Sequence, residues 1–126
     1  MNSVNNRSPA RNWSRFALMC WLATYIAGSP LVAQEAADFF RQNCTSCHTI
    51  GGGRLTGPDL KGVLTRKDRE WLTRFVQNPQ AMMDQGDPYA LQLRQAARDV
   101  VMPTINGMNR ARAESLLALI EAESKL

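Results

Sequence analysis

The residues best able to do chemistry stand together as Cys44-Thr45-Ser46-Cys47-His48. Residues three apart share a face of a helix, so Cys44 and Cys47 can both reach one porphyrin edge and join its two vinyl groups as thioethers. His48 follows directly, and its imidazole can swing under the iron as the proximal ligand. Cys-x-x-Cys-His is the attachment spacing of c-type haem, and one such run implies one covalent haem c, with its iron, per chain. Two other chemistries use a Cys-x-x-Cys pair. A thioredoxin-like redox pair expects a βαβ setting, and this sequence has no alternating strand pattern. Structural zinc wants four ligands, whereas positions 34–126 offer two cysteines and one histidine.

An iron held by His48 alone has an open sixth position. Met82, Met83, Met102 and Met108 are the methionines beyond position 33. Met102 sits in Val100-Val101-Met102-Pro103, where the proline keeps the preceding residue extended rather than helical. An extended loop can aim a side chain at the distal iron face while Val100 and Val101 keep water out. Thioether sulfur is soft and favours Fe(II), so a His/Met pair raises the reduction potential and closes the iron to outside ligands. Met82, Met83 and Met108 read as core filler. Arg54 and Trp71 are candidates to hydrogen-bond the haem propionates; the plain alternatives are a solvated arginine and a core tryptophan. Lys61, Arg66 and Lys67, with Arg69 just beyond, form a basic rim that would steer acidic partners, or simply a solvated face.

The elements that must position these residues read as helices. Residues 36–49 form a first helix, ended by Gly51, Gly52 and Gly53, and a loop runs on through Gly57, Pro58 and Gly62. Residues 68–77 put Trp71, Leu72, Phe75 and Val76 on one side and stop at Asn78-Pro79. Asp87-Pro88 is a cap followed by a proline at the first helical position, opening a helix to about Arg98. Asn109 can cap a last helix whose Ala113, Leu116, Leu117 and Ile120 make an i, i+3, i+4, i+7 stripe. The class is all-α.

Ahead of these elements lies a leader, residues 1–33. Its first fifteen residues are polar and positive, Phe16 to Ala27 is a 12-residue apolar run, and small residues lead to Ala33. That is the order of a secretory signal, with cleavage expected after Ala33 and Cys20 leaving with it. Twelve helical residues rise about 18 Å, short of the roughly 30 Å hydrocarbon core, which disfavours a retained anchor. The chain has 126 residues and a formal charge of +4, but Arg7, Arg11 and Arg15 carry three of those charges. From Gln34 onward 12 basic residues face 11 acidic ones, a balance of +1. A nucleic-acid binder needs a basic face on its folded part and is disfavoured. A 93-residue exported domain, 34–126, has a small core and commonly needs a cross-link, metal or cofactor to hold it.

On these residues the chain resembles the small single-haem class I c-type cytochromes. The likeness runs from Ala36 to about Ile120 and rests on C44-T-S-C-H48, G57-P-D-L60, R69-E-W-L72, N78-P79, V101-M-P103 and the amphipathic last helix. It implies the cytochrome c fold, with first and last helices crossing beside one haem and Phe40 and Leu117 in that crossing. It also implies His48 and Met102 as axial ligands and Pro58 as the carbonyl that accepts from the His48 ring N–H. Ala36 and Leu119 depart from the glycine and aromatic the family often has there, which touches packing rather than ligation.

The expected activity is single-electron transfer through transient docking with redox proteins. No small-molecule substrate or nucleic acid would bind, and no bond would be made or broken. An enzyme is not expected; the location would be the periplasm or another extracytoplasmic space. Membrane association would follow only from a retained leader, as in a tethered subunit of a respiratory complex. A sensor, ligand-binding haem domain or small peroxidase needs an open sixth position and commonly a distal histidine, and His48 is the only histidine.

Overall fold

The computed structural model describes residues 30–126. Residues 1–29 of the expected leader, with Cys20, lie outside the described residues, and the expected cleavage point after Ala33 falls in the first helical turn. Six helices follow in order: α1 (Pro30–Asn43), α2 (Val63–Arg66), α3 (Arg69–Gln77), α4 (Pro79–Asp84), α5 (Pro88–Ala96) and α6 (Arg110–Glu123). Among the described residues there is no strand, and no helix is long and apolar enough to cross a membrane.

The helix starts obey capping chemistry. Asp68, Asn78, Asp87 and Asn109 each accept a backbone N–H at the start of α3, α4, α5 and α6, satisfying a donor that the helix leaves orphaned. Two elements depart from the sequence expectation. Helix α1 already includes Pro30, the first described residue, and ends at Asn43, so the haem motif is not its continuation. Asn78-Pro79 does stop α3, but Asn78 also caps α4, which begins at Pro79 itself. A residue pair that ends one helix and starts the next carries the same sequence signal as a simple breaker.

Two apolar clusters form the core. Phe40 of α1 lies with Leu116 and Ile120 of α6, so the first and last helices do pack together. Leu117, expected at that crossing, instead joins Trp71, Leu72, Met82, Met83 and Ala90. One residue along a helix turns the side chain by about 100°, enough to transfer it from the α1 side to the α3 side. Met82 and Met83 are buried core filler, and Met108 packs half-buried beside Phe40 and its neighbours. Ala36 is buried and Leu119 half-buried.

Among the described residues one buried side-chain polar group is left unpaired. The Thr73 hydroxyl, on a side chain 1% exposed, has no hydrogen-bond partner. A valine of the same shape removes a desolvated hydroxyl without opening a cavity. Thr73→Val should therefore raise stability by about 1 kcal/mol, read as a higher thermal midpoint; an unchanged or lower midpoint would show that the hydroxyl is satisfied in solution.

Candidate functional site

The haem motif is a single turn. The Cys44 carbonyl accepts both the Cys47 N–H, at 3.1 Å, and the His48 N–H, at 2.9 Å. Cys44, Cys47 and His48 thereby face one cavity of about 330 Å³, within the range of small-molecule and cofactor sites. Its walls are mainly apolar and come from both core clusters, including Phe40, Leu72, Phe75, Leu116 and Leu117.

The imidazole is fixed by the loop that follows. His48 Nδ1 lies 2.8 Å from the Pro58 carbonyl. A carbonyl can only accept, so Nδ1 carries the proton and Nε2 is left as the free lone pair for a metal. The Gly57 N–H donates to the Cys47 carbonyl at 2.9 Å and the Leu60 N–H to the Thr49 carbonyl at 2.8 Å, which clasp the loop to the motif. Gly57 is a close approach: a Cβ there would stand 2.3 Å from His48 Cε1 and 2.7 Å from Nδ1. Gly57→Ala should overpack this contact, displace the ring from Pro58 and lower stability by about 1–3 kcal/mol. Thermal unfolding and the absorption spectrum would report both effects; an unperturbed variant would mean that the ring does not sit against Gly57.

Asp59 holds the same loop from its other side. Its Oδ1 accepts from Gly51 N–H and Lys61 N–H, both at 2.8 Å, and its Oδ2 accepts from Gly53 N–H at 2.7 Å. The Gly51 N–H, then those of Lys61 and Gly53 with the Thr49 hydroxyl, hold the carboxyl down at about 2 against an ordinary 3.8. A folded-state value below the unfolded one means stability that is present above about pH 4 and lost as pH falls towards 2. Asp59→Asn should therefore be the less stable protein at pH 5, with the gap to wild type closing by pH 2. Unfolding midpoints across that range check it; a constant gap would contradict it.

Burial, and then the neighbouring Cys47, push the Cys44 thiol up to about 11, whereas a reactive thiolate needs a lowered value. Among the described residues no third His, Cys, Asp or Glu joins the pair in a metal-binding group.

The remaining sequence candidates divide. Met102 lines the cavity, with Val100, Val101 and Pro103 beside it. Trp71 also lines it, stacked on Phe75 with centroids 4.8 Å apart. Its indole N–H, however, donates to Asp87 Oδ2 at 2.9 Å, which leaves that ring no donor for a propionate. Arg54 is exposed, is not part of the cavity wall, and donates through Nη2 to the Ala96 carbonyl at 2.6 Å. The guanidinium-bearing residues that do line the cavity are Arg66 and Arg94. Of the basic rim, Arg66 donates to the Lys61 and Asp59 carbonyls at 2.8 Å, and Lys67 Nζ sits 5.1 Å from the Trp71 ring centre and 5.0 Å from that of Tyr89. Arg69 is taken up by Glu121, and Lys61 is exposed. Arg94 carried no sequence signal beyond residue type, and the motif containing Gly57 and Asp59 did not announce their roles, because each depends on where distant loops meet.

The residues present fit a haem. Two sulfurs and an imidazole with its outer nitrogen protonated converge on an apolar cavity, and glycine stands where a side chain would block the ring. The family description "Cytochrome c" matches residues 33–121. The fold is similar to cytochrome c from Rhodothermus marinus, at 25% identity and a TM-score of 0.67 over 77% of this chain and 80% of that one. It is also similar to the cytochrome c domain of the pp3183 protein from Pseudomonas putida, at 31% identity and 0.62, covering 71% and 88%. Comparison with curated proteins finds no match. With this motif on this cavity, and with most of its length matched, the chain belongs to the cytochrome c family, among the class I proteins that carry haem c covalently on Cys-x-x-Cys-His and transfer electrons through it.

Proposed function

We propose that the protein is an exported one-electron carrier with His48 and Met102 as its axial pair. The observation that carries this is the placement of His48, its Nδ1 proton given to Pro58, on the same apolar cavity that Met102 lines. Bound haem supplies a single Fe(III)/Fe(II) couple. The chain's residues do the rest. Cys44 and Cys47 tether it, and His48 presents Nε2. Met102 supplies soft sulfur that favours the reduced state. Leu72, Phe75, Leu116 and Leu117 exclude water and so limit reorganisation.

Arg66 and Arg94 are the propionate partners in this proposal because both line the cavity, which Arg54 does not, and because the Trp71 N–H is taken by Asp87. Lys61, Arg66 and Lys67 give redox proteins an electropositive face for transient docking. No substrate is bound and no bond is made or broken, so the protein is not an enzyme. The Phe16–Ala27 apolar run supports an extracytoplasmic site reached through a cleaved leader, and sequencing the mature N-terminus tests that: a start at Met1 would contradict it.

Carbon monoxide tests the closed iron. Added to the reduced protein, it should leave the spectrum unchanged, and the oxidised protein should show the weak far-red sulfur-to-iron band. Immediate and complete carbon monoxide binding would favour a sensor or peroxidase instead.

A further inference from the structure

Three rings form one wall of the haem cavity. Phe75 stacks on Trp71 with centroids 4.8 Å apart, Tyr89 meets the same indole edge-on at 5.0 Å, and all three line the cavity. Trp71 and Phe75 stand four apart on α3 and so share a face, whereas Tyr89 arrives from the first turn of α5. Two charges stand behind this wall. Lys67, which ends α2, holds Nζ 5.1 Å from the Trp71 ring centre and 5.0 Å from that of Tyr89. Asp87 meets the indole at its N–H. Neither charged residue lines the cavity.

Asp87 uses both carboxylate oxygens. Oδ1 accepts from the Ala90 N–H at 2.9 Å and caps α5, and Oδ2 accepts from the Trp71 indole N–H at 2.9 Å. The Ala90 N–H, then the Trp71 N–H, hold the carboxyl below its usual range. A cap alone needs one acceptor, which asparagine supplies as well as aspartate does. The second acceptor is what an amide lacks, because its other terminal atom is an NH2 that would face the indole donor to donor. Lys67 is also more than a solvated lysine. It is half-buried, cation–π attraction holds its ammonium over two rings, and no carboxylate among the described residues forms a salt bridge with it.

We infer that Asp87 is a positioning residue of the redox site, fixing the Trp71 ring as cavity wall through its indole N–H and, with Lys67 as counter-charge, setting the reduction potential. The two charges act in opposite directions. The carboxylate favours the additional positive charge of Fe(III), the ammonium favours Fe(II), and the wild-type potential is their balance. Rings that exclude water leave both fields weakly screened. The inference rests on the electron-carrier reading and is independent of which residue closes the sixth position.

The test is a redox titration of the holoprotein in wild type, Asp87→Asn, Lys67→Gln and the double variant, with hydrogen exchange of the Trp71 indole N–H followed by NMR in the reduced state. At a fixed ambient potential, Asp87→Asn should raise the ferrous-to-ferric ratio about five-fold, the order expected of a unit charge at an effective dielectric of about 20. That is about 40 mV, at about 59 mV per tenfold. Lys67→Gln should lower the ratio by a similar factor, and the double variant should return close to wild type. Indole exchange should quicken in Asp87→Asn and stay as in wild type in Lys67→Gln. If Asp87 were only a cap, asparagine would replace it without effect, so unchanged potential and exchange in Asp87→Asn would overturn the inference. A Lys67→Gln potential at or above wild type would also overturn it, and that variant leaves the cap and the indole bond in place should Asp87→Asn fold poorly. Carbon monoxide binding by the wild type would instead overturn Met102 as ligand, with both potential shifts still expected.

Discussion

Met102→Ala should turn a protein that ignores carbon monoxide into one that binds it completely on mixing. The iron would keep His48, whose Nδ1 proton is still held by Pro58 at 2.8 Å, and lose the group that closes its other face. Alanine has no donor atom, and no second histidine exists in the chain to replace the sulfur. The far-red band should vanish and the reduction potential should fall, since thioether sulfur stabilises Fe(II) and water does not. Met83 also lines the cavity but sits in α4 within the core, so a Met83→Leu variant should keep the band and stay closed to the gas. Should Met102→Ala retain the band while Met83→Leu loses it, the ligand is the wrong methionine.

The second large effect concerns folding. The double variant Cys44→Ala/Cys47→Ala, purified without haem, should lack a cooperative thermal transition. Among the described residues the buried apolar set is small, and three of its members are the alanines at 36, 90 and 113. Both clusters give their inner faces to the cavity of about 330 Å³. A rigid empty cavity of that size would cost at most about 8 kcal/mol at roughly 24 cal/mol per Å³, comparable to the whole stability of a small domain. Collapse relieves some of it only by dismantling the packing of α1 and α3 on α6. Calorimetry decides: a sharp transition in the haem-free double variant would show that the helices carry their own core.

Much of this was legible because it is local. The Cys-x-x-Cys-His spacing, the caps Asp87 and Asn109, and the stripe Ala113, Leu116, Leu117, Ile120 depend on neighbours within about one or two helical turns. The short helices α2 and α4 were not foreseen: four and six residues are too few for a periodic pattern, and Pro79 reads as a stop whether or not a helix restarts there. Helix α1 was placed late because the motif's cysteines continue the helical spacing, although their backbone closes only one further turn. The propionate candidates met an obstacle of a different kind. Asp87 takes the single Trp71 N–H and Ala96 one Arg54 nitrogen, from 16 and 42 residues away, and nothing near either residue announces those partners. Gly57 is the same kind of case, since its need for no side chain arises only where the loop passes the His48 ring.

Acidified acetone, applied to protein matured in a host able to attach the cofactor, addresses the covalent tether at Cys44 and Cys47 most directly. Thioether bonds survive acid, so the colour should stay with the precipitated protein at one haem per chain, and the double cysteine variant should retain none. Pigment passing into the solvent, or a colourless wild-type protein, would contradict it.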